Sequence, residues 1–361
     1  MALETAPSVR VGFIGAGNWA QTNHMPVLQA RDDVVLGGVA TPTKESRDLA
    51  VRRFGFPYAT DDYRELLEQP IDAVVIASPH GFHYEQSKAS LESGRHVLVE
   101  KPMALRAAEA WDLVETANAR GLVLSIPTGW HYVRMVAAAK EKMDQGAVGE
   151  VEYIVCHMGS ALRALYMGQK WPYPMEDIPD PETFYSDPDL AGGGQGYSQL
   201  SHSVALLFWL TGLRGSEVFA YMSGAGAPVE MYDAIVAKFD NGSIGTISAA
   251  GTQPSSKPKH EMDIRIYGSE GELSLDLFHE HLTIHRNDGG SFELEVEPGE
   301  GDYACDGPPN RFIDLILGRS RENWSPGEIS ARTIELLEAA YRSAAGGRSE
   351  RVVLDASRGS P

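Results

Sequence analysis

Cysteine is nearly absent from this 361-residue chain: Cys156 and Cys305 are the only two, far apart and without C-x-x-C spacing. A disulfide scaffold and a zinc ribbon are thereby excluded, and two reduced thiols in a cytoplasmic protein are expected. No apolar run approaches membrane-spanning length, so no membrane association is expected. Positive charge is scarce, 31 basic against 50 acidic residues for a formal charge of −19, which disfavours nucleic acid as a partner. Residues 1–8 lack the apolar stretch of an export signal, so cytoplasmic residence is the default expectation. Internal repeats and low-complexity tracts are also missing.

What is present is ordinary globular material, 43% hydrophobic and 22% charged, in a chain long enough for two domains. Val9 to Ile14 reads as a strand running into Gly15-Ala16-Gly17 and a helix to Ala30. Val34 to Ala40, Tyr58-Ala59, Ile71 to Ala77, His96 to Val99 and Leu122 to Ile126 read as further strands. Helices over Lys44 to Phe54, His83 to Ser93 and Ala104 to Arg120 alternate with them. Alternation of this length predicts a doubly wound parallel sheet. Beyond a helix over Val136 to Gln145 the pattern changes to strands of a mixed or antiparallel sheet, from Val151 to His157 and then between Gly215 and Arg286, with a hairpin signal at Asn241-Gly242. The expected division is 1–127 and 128–361. Trp171 to Gly194 reads as a long loop, and amphipathic helices follow over Asn310 to Leu317 and Ser330 to Ser343, the second a candidate to pack back on the first domain.

Gly15-Ala16-Gly17-Asn18-Trp19-Ala20 fits G-x-G-x-x-G/A between a strand and a helix, the context of a dinucleotide site. Gly15 allows the tight turn, Gly17 lets backbone approach a diphosphate, and Ala20 permits close packing; the helix N-terminus then favours the anion. An acid at the end of the second strand would select NAD by bonding the ribose hydroxyl. Here Thr41 stands there, followed by Thr43 and Lys44, so NAD or NADP is expected with NADP favoured. Ser78, Pro79, His80 and His83 lie past the carboxyl end of another parallel strand, where they would border the nicotinamide. His279, His281 and His285 share one strand face, a spacing that reads as a solvated face and not as a metal site.

Glu100-Lys101-Pro102 follows a buried strand, and Lys101 there can offer its N–H donors to a substrate oxygen. Taken with the Gly15 fingerprint, Pro79 and His83, Gly94 to Pro102, Gly146 to Glu150, Gly192-Gly193-Gly194 with His202, and Ala339 to Ser343, these residues resemble the Gfo/Idh/MocA family of oxidoreductases over nearly the whole chain. The resemblance implies an α/β fold: an N-terminal Rossmann domain, then an α/β domain built on a large open mixed or antiparallel sheet that serves substrate binding and assembly into a homodimer or homotetramer. It implies hydride transfer between NAD(P) and a hydroxyl or ketone of a sugar, glycoside or cyclitol. By position, Lys101 would polarise the oxygen and His202 would be the general base. Glu100 would join the cofactor-binding residues. The family commonly has aspartate four residues before the histidine, where this chain has Ser198, on the same face if the segment is an α-helix. Trp130, His131, Arg163, Tyr166, Tyr185, Ser198 and Gln199 are the further substrate-binding candidates. Two other readings remain open: glycoside cleavage through a transient ketone with retained cofactor, and a non-catalytic dinucleotide-sensing regulator.

Overall fold

The structure is a computed structural model and describes residues 8–170, 184–254 and 260–352, so residues 171–183 of the expected long loop lie outside the described part. Six parallel strands, β1 Val9–Ile14, β2 Val34–Ala40, β3 Ala59–Thr60, β4 Ala73–Ile76, β5 His96–Val99 and β6 Leu124–Ser125, form a first sheet in the order β3-β2-β1-β4-β5-β6. Every residue of β4 is buried, as befits a strand covered on both faces. The covering helices are α1 Met25–Gln29, α2 Lys44–Phe54, α3 Tyr63–Leu67, α4 His83–Glu92 and α5 Ala107–Arg120. Strand order reverses between β1 and β4, which opens a crevice at the carboxyl ends of these strands.

The second sheet has nine strands in the order β14-β13-β12-β11-β7-β10-β9-β8-β15. They are β7 Val151–Gly159, β8 Gly215–Ser223, β9 Tyr232–Phe239, β10 Ile244–Ala250, β11 Glu261–Gly268, β12 Gly271–Asp276, β13 His281–Arg286, β14 Ser291–Glu293 and β15 Glu350–Arg351. β7 and β10 run parallel while the other described pairs are antiparallel, so the sheet is mixed. In β9 strict alternation buries Asp233, Ile235, Ala237 and Phe239 and leaves Tyr232 and Val236 outside. Tyr221 and Ile244 are exposed on the neighbouring strands, and His281 and His285 on β13.

Further helices are α6 Arg134–Asp144, α7 Arg163–Tyr166, α8 Pro188–Ala191, α9 Ser201–Thr211, α10 Gly307–Ile316 and α11 Gly327–Gly346. α9 is buried from Ser201 to Leu210 and packs on β7, β11, α6 and α11. α11 packs on β8 and on α5: Trp111 Nε1 donates to Glu335 Oε1 at 2.6 Å and the Ala107 N–H to Glu338 Oε2 at 3.0 Å. One apolar cluster therefore joins the two sheets, from Ile14, Val74 and Val99 to Leu206, Ile264 and Leu337. Among the described residues no helix is long and apolar enough to cross a membrane.

Candidate active site

Three loops leave the carboxyl ends of β1, β4 and β5 side by side. Gly15 follows β1 at φ +91°, and a Cβ there would lie 2.6 Å from the Ala77 carbonyl, so the turn requires glycine. At Gly17 a Cβ would meet nothing within 4 Å, which leaves bare backbone facing open space at the start of a helix. Ala20 is fully buried. These features fit a dinucleotide diphosphate: a tight turn, an unobstructed approach and free helix N–H groups. At the end of β2 the Thr41 carbonyl accepts Arg47 Nη1 at 2.6 Å, while Thr43 and Lys44 are exposed and Lys44 Nζ pairs with Asp48 at 2.5 Å.

Past β5 the Glu100 carboxylate is buried against His24 Nε2 at 2.7 Å and the Lys101 N–H at 3.2 Å. Burial pushes its pKa up, but the His24 hydrogen bond and the charges of His24, Lys101 and His83 outweigh burial and hold it below the usual carboxylate value. The Lys101–Pro102 peptide is cis. Lys101 Nζ crosses to the second sheet's side and donates to the Ser198 carbonyl at 2.7 Å. Burial pushes its pKa down, with Glu100 opposing.

The loop after β4 is tied to this turn. The ring of His83, expected among the cofactor-binding residues, has its nitrogens 2.7 Å from the Pro102 and Ser78 carbonyls and no exposed surface, so it ties the two loops together. Glu100, likewise expected among the cofactor residues, spends its carboxylate on His24 and the Lys101 N–H. Ser78 Oγ donates to Gln86 at 2.6 Å. Pro79 precedes a short turn in which His80 Nδ1 lies 3.1 Å from the Ala191 carbonyl and its ring 5.8 Å from Tyr185.

His202 sits in the first turn of α9, with Trp130 and Tyr303 rings 5.1 and 5.5 Å away. Its Nδ1 is buried and has no hydrogen-bond partner among the described residues. Burial pushes its pKa well below the ordinary value, and the charges of Lys101, His260 and His131 add to that. Ser198 does not orient this ring. Residues Gly196–Leu200 form a wide π turn, which shifts Ser198 off the face it would share with His202 in a regular helix. Its hydroxyl bonds Tyr166 Oη instead, and Tyr166 in turn donates to Gln195 Oε1 at 2.8 Å.

Of the expected substrate residues, Trp130, Gln199 and Tyr185 remain near Lys101, His202 or His80. Trp130 walls His202, Tyr185 packs on His80, and Gln199, immediately after Ser198, is nearly buried while its carbonyl accepts the Ser201 N–H. The side chains of the other four expected substrate residues lie elsewhere. His131 is buried, stacked on Trp209 at 4.9 Å and bonded to the Trp324 carbonyl at 2.8 Å, so it braces the core. Tyr166 has no exposed surface and Ser198 hardly any, and both hydroxyls are used internally. Arg163 is exposed on α7.

Two cleft residues carried no sequence signal. Tyr303 bridges Trp19 at 6.1 Å and Trp130 at 4.8 Å, which extends an aromatic wall from the fingerprint helix to His202. His260, just before β11, places its ring 6.3 Å from Trp130. Burial and the Lys101 charge push its pKa down to about 4, with the Gly159 carbonyl opposing.

Comparison with known proteins gives concordant results. Residues 9–128 match the oxidoreductase family NAD-binding Rossmann fold, GFO_IDH_MocA, and residues 136–274 match the GFO/IDH/MocA C-terminal domain. Levoglucosan dehydrogenase of Pseudarthrobacter phenanthrenivorans is 25% identical over 304 residues, 74% of this chain and 73% of that protein. The scyllo-inositol 2-dehydrogenase (NAD(+)) of Bacillus subtilis is 24% identical over 294 residues, 79% of each chain. Among solved structures, an oxidoreductase domain protein from Kribbella flavida superposes with a TM-score of 0.81 at 20% identity, covering 97% of this chain and 100% of that one.

Proposed function

The chain belongs to the GFO/IDH/MocA oxidoreductase family, and from that premise we propose that it is an NAD(P)-dependent dehydrogenase or reductase acting on a hydroxyl or ketone of a sugar, glycoside or cyclitol. The observation that carries this reading is the meeting of Lys101 and His202 beside the Gly15 turn: Lys101 Nζ reaches the Ser198 carbonyl at 2.7 Å, one turn before His202. A bound nicotinamide supplies a hydride acceptor or donor. The protein supplies the pair of side chains that handles the oxygen, while Trp130 and Tyr303 keep water from it and offer faces on which a sugar ring stacks. Thr41 stands where an acid would select NAD, with Thr43 and Lys44 following it and no carboxylate from Thr41 to Lys44, which favours NADP, and dinucleotide and substrate are divided between residues 1–127 and 128–361. The open face of the second sheet, with Tyr221, Val236 and Ile244 outside, is the surface on which a homodimer or homotetramer forms.

The test incubates the purified protein with NAD+ or NADP+ and a panel of sugars, glycosides and cyclitols, with reduction read from nicotinamide absorbance and products by mass. Net cofactor reduction is the expected result. Sugar release without net reduction marks the glycoside-cleaving reading, and cofactor binding with neither product marks the sensing one.

A further inference from the structure

Which of the two side chains takes the substrate proton is decided by what each is bonded to. A neutral imidazole that accepts a proton at Nε2 carries its own proton on Nδ1 beforehand, and both nitrogens carry one afterwards. In His202 a proton on Nδ1 is a buried donor with no acceptor, which forfeits the hydrogen bond it would make in water. An unshared lone pair at the same place is the less costly orphan. The carboxylate that could have accepted it is replaced by Ser198, whose hydroxyl is turned to Tyr166. Protonating the ring would add a cation facing Lys101, His260 and His131 with no anion bonded to it. The neutral ring with its proton on Nε2 is therefore favoured, and that ring donates to the cleft but cannot accept from it.

Lys101 has the complementary character. It is enclosed by Glu100 on its own turn, His80 and His83 from the loop after β4, the Ser198 carbonyl and His202 from the second sheet's side, and His260 before β11. An amine so enclosed gives up its charge readily, and the neutral form keeps a lone pair while still donating to Ser198.

We propose that Lys101 is the general base and that His202 holds the substrate oxygen through its Nε2–H, the exchange of the roles the resemblance implies. The inference rests on the dehydrogenase reading. In oxidation the hydroxyl proton passes to the Lys101 Nζ lone pair and the O–H electrons form the carbonyl π bond. The C–H pair leaves as hydride to the nicotinamide, and the proton gained by Lys101 is later released to solvent. His202 neither gains nor loses a proton.

The assignment is tested on the whole protein in two ways. Ring-nitrogen NMR of histidine-labelled wild type, with His202 identified through its loss in His202→Gln, is expected to show Nε2 protonated and Nδ1 bare at neutral pH. A wild-type ring protonated at Nδ1 overturns the proposal without reference to turnover. In kinetics, Lys101→Arg keeps charge and donors but cannot accept a proton, so it should lose about 10²–10⁴-fold in kcat, like Lys101→Ala. Small amines should restore activity to the alanine variant. His202→Gln keeps an N–H donor and should exceed His202→Ala, which loses about 10²–10³-fold. An active Lys101→Arg, or equal losses in the two His202 variants, overturns the exchange of roles. A wild type that reduces neither cofactor with any alcohol overturns the dehydrogenase reading instead.

Discussion

Glu100 carries a negative charge into a buried turn because His24 and the Lys101 N–H bind it there at 2.7 and 3.2 Å. Its charge is also the one group that raises the pKa of Lys101 against burial. Glu100→Gln keeps a similar shape and an acceptor for His24 but removes the charge. The sign follows: without the anion the ammonium is less favoured, the Lys101 pKa falls further, and the neutral amine is reached at lower pH. For oxidation, kcat/KM rises with pH as Lys101 loses its proton, so the rising limb of the Glu100→Gln profile is expected at lower pH than in wild type. An unmoved limb would detach Lys101 from the proton transfer. At this scale the sequence was legible where local backbone geometry decides, as at Gly15 with its φ of +91° and at Gly17 with its open backbone. It was silent on Tyr303 and His260, which line the cleft only because segments distant in sequence meet there. It misjudged His131, whose place in a core of aromatic rings is set by Trp209 and Trp324.

The helix that carries His202 is set in place at its start. Glu230 accepts the N–H groups of Gly194 at 2.7 Å and Gly196 at 2.9 Å, together with the Tyr341 hydroxyl at 2.6 Å. A Cβ on Gly194 would lie 1.9 Å from the Glu230 main-chain oxygen, so Gly194→Ala must push the helix start aside. A displacement of about 1 Å at the catalytic group costs about 10²-fold in rate, and that loss in kcat is expected for Gly194→Ala, with cofactor affinity nearly intact because the Gly15 turn is untouched. Glu230→Gln exchanges charged acceptors for neutral ones and should cost about 1.5–3 kcal/mol of stability in urea unfolding. Elements with a full period were readable from sequence: β9 alternates cleanly and β4 is one apolar run. α9 was not, because a helix buried on every side has no polar face to give a 3.6-residue rhythm. β14 and β15, of 3 and 2 residues, are too short to show any period.

Across the whole molecule, α11 belongs to the cores of both sheets. Glu335 on this helix is buried and receives Trp111 Nε1 from α5 at 2.6 Å and Arg214 Nη2 from the approach to β8 at 3.2 Å. Both sheets also share one apolar cluster, so neither can open without exposing the other's core. Urea unfolding is therefore expected to be a single transition, with tryptophan fluorescence and far-ultraviolet dichroism giving one midpoint. Glu335→Ala leaves an indole N–H and a guanidinium without their acceptor; with Arg214 partly open to solvent, the cost should be about 3 kcal/mol. Glu335→Gln still accepts from the indole and should lose less. Because Lys101 comes from the first sheet and Ser198 from the second side of the cleft, loosening this joint should also raise KM more than it lowers kcat. Two separate transitions in wild type, or a Glu335→Ala protein in which only one signal shifts, would mean that the halves fold independently.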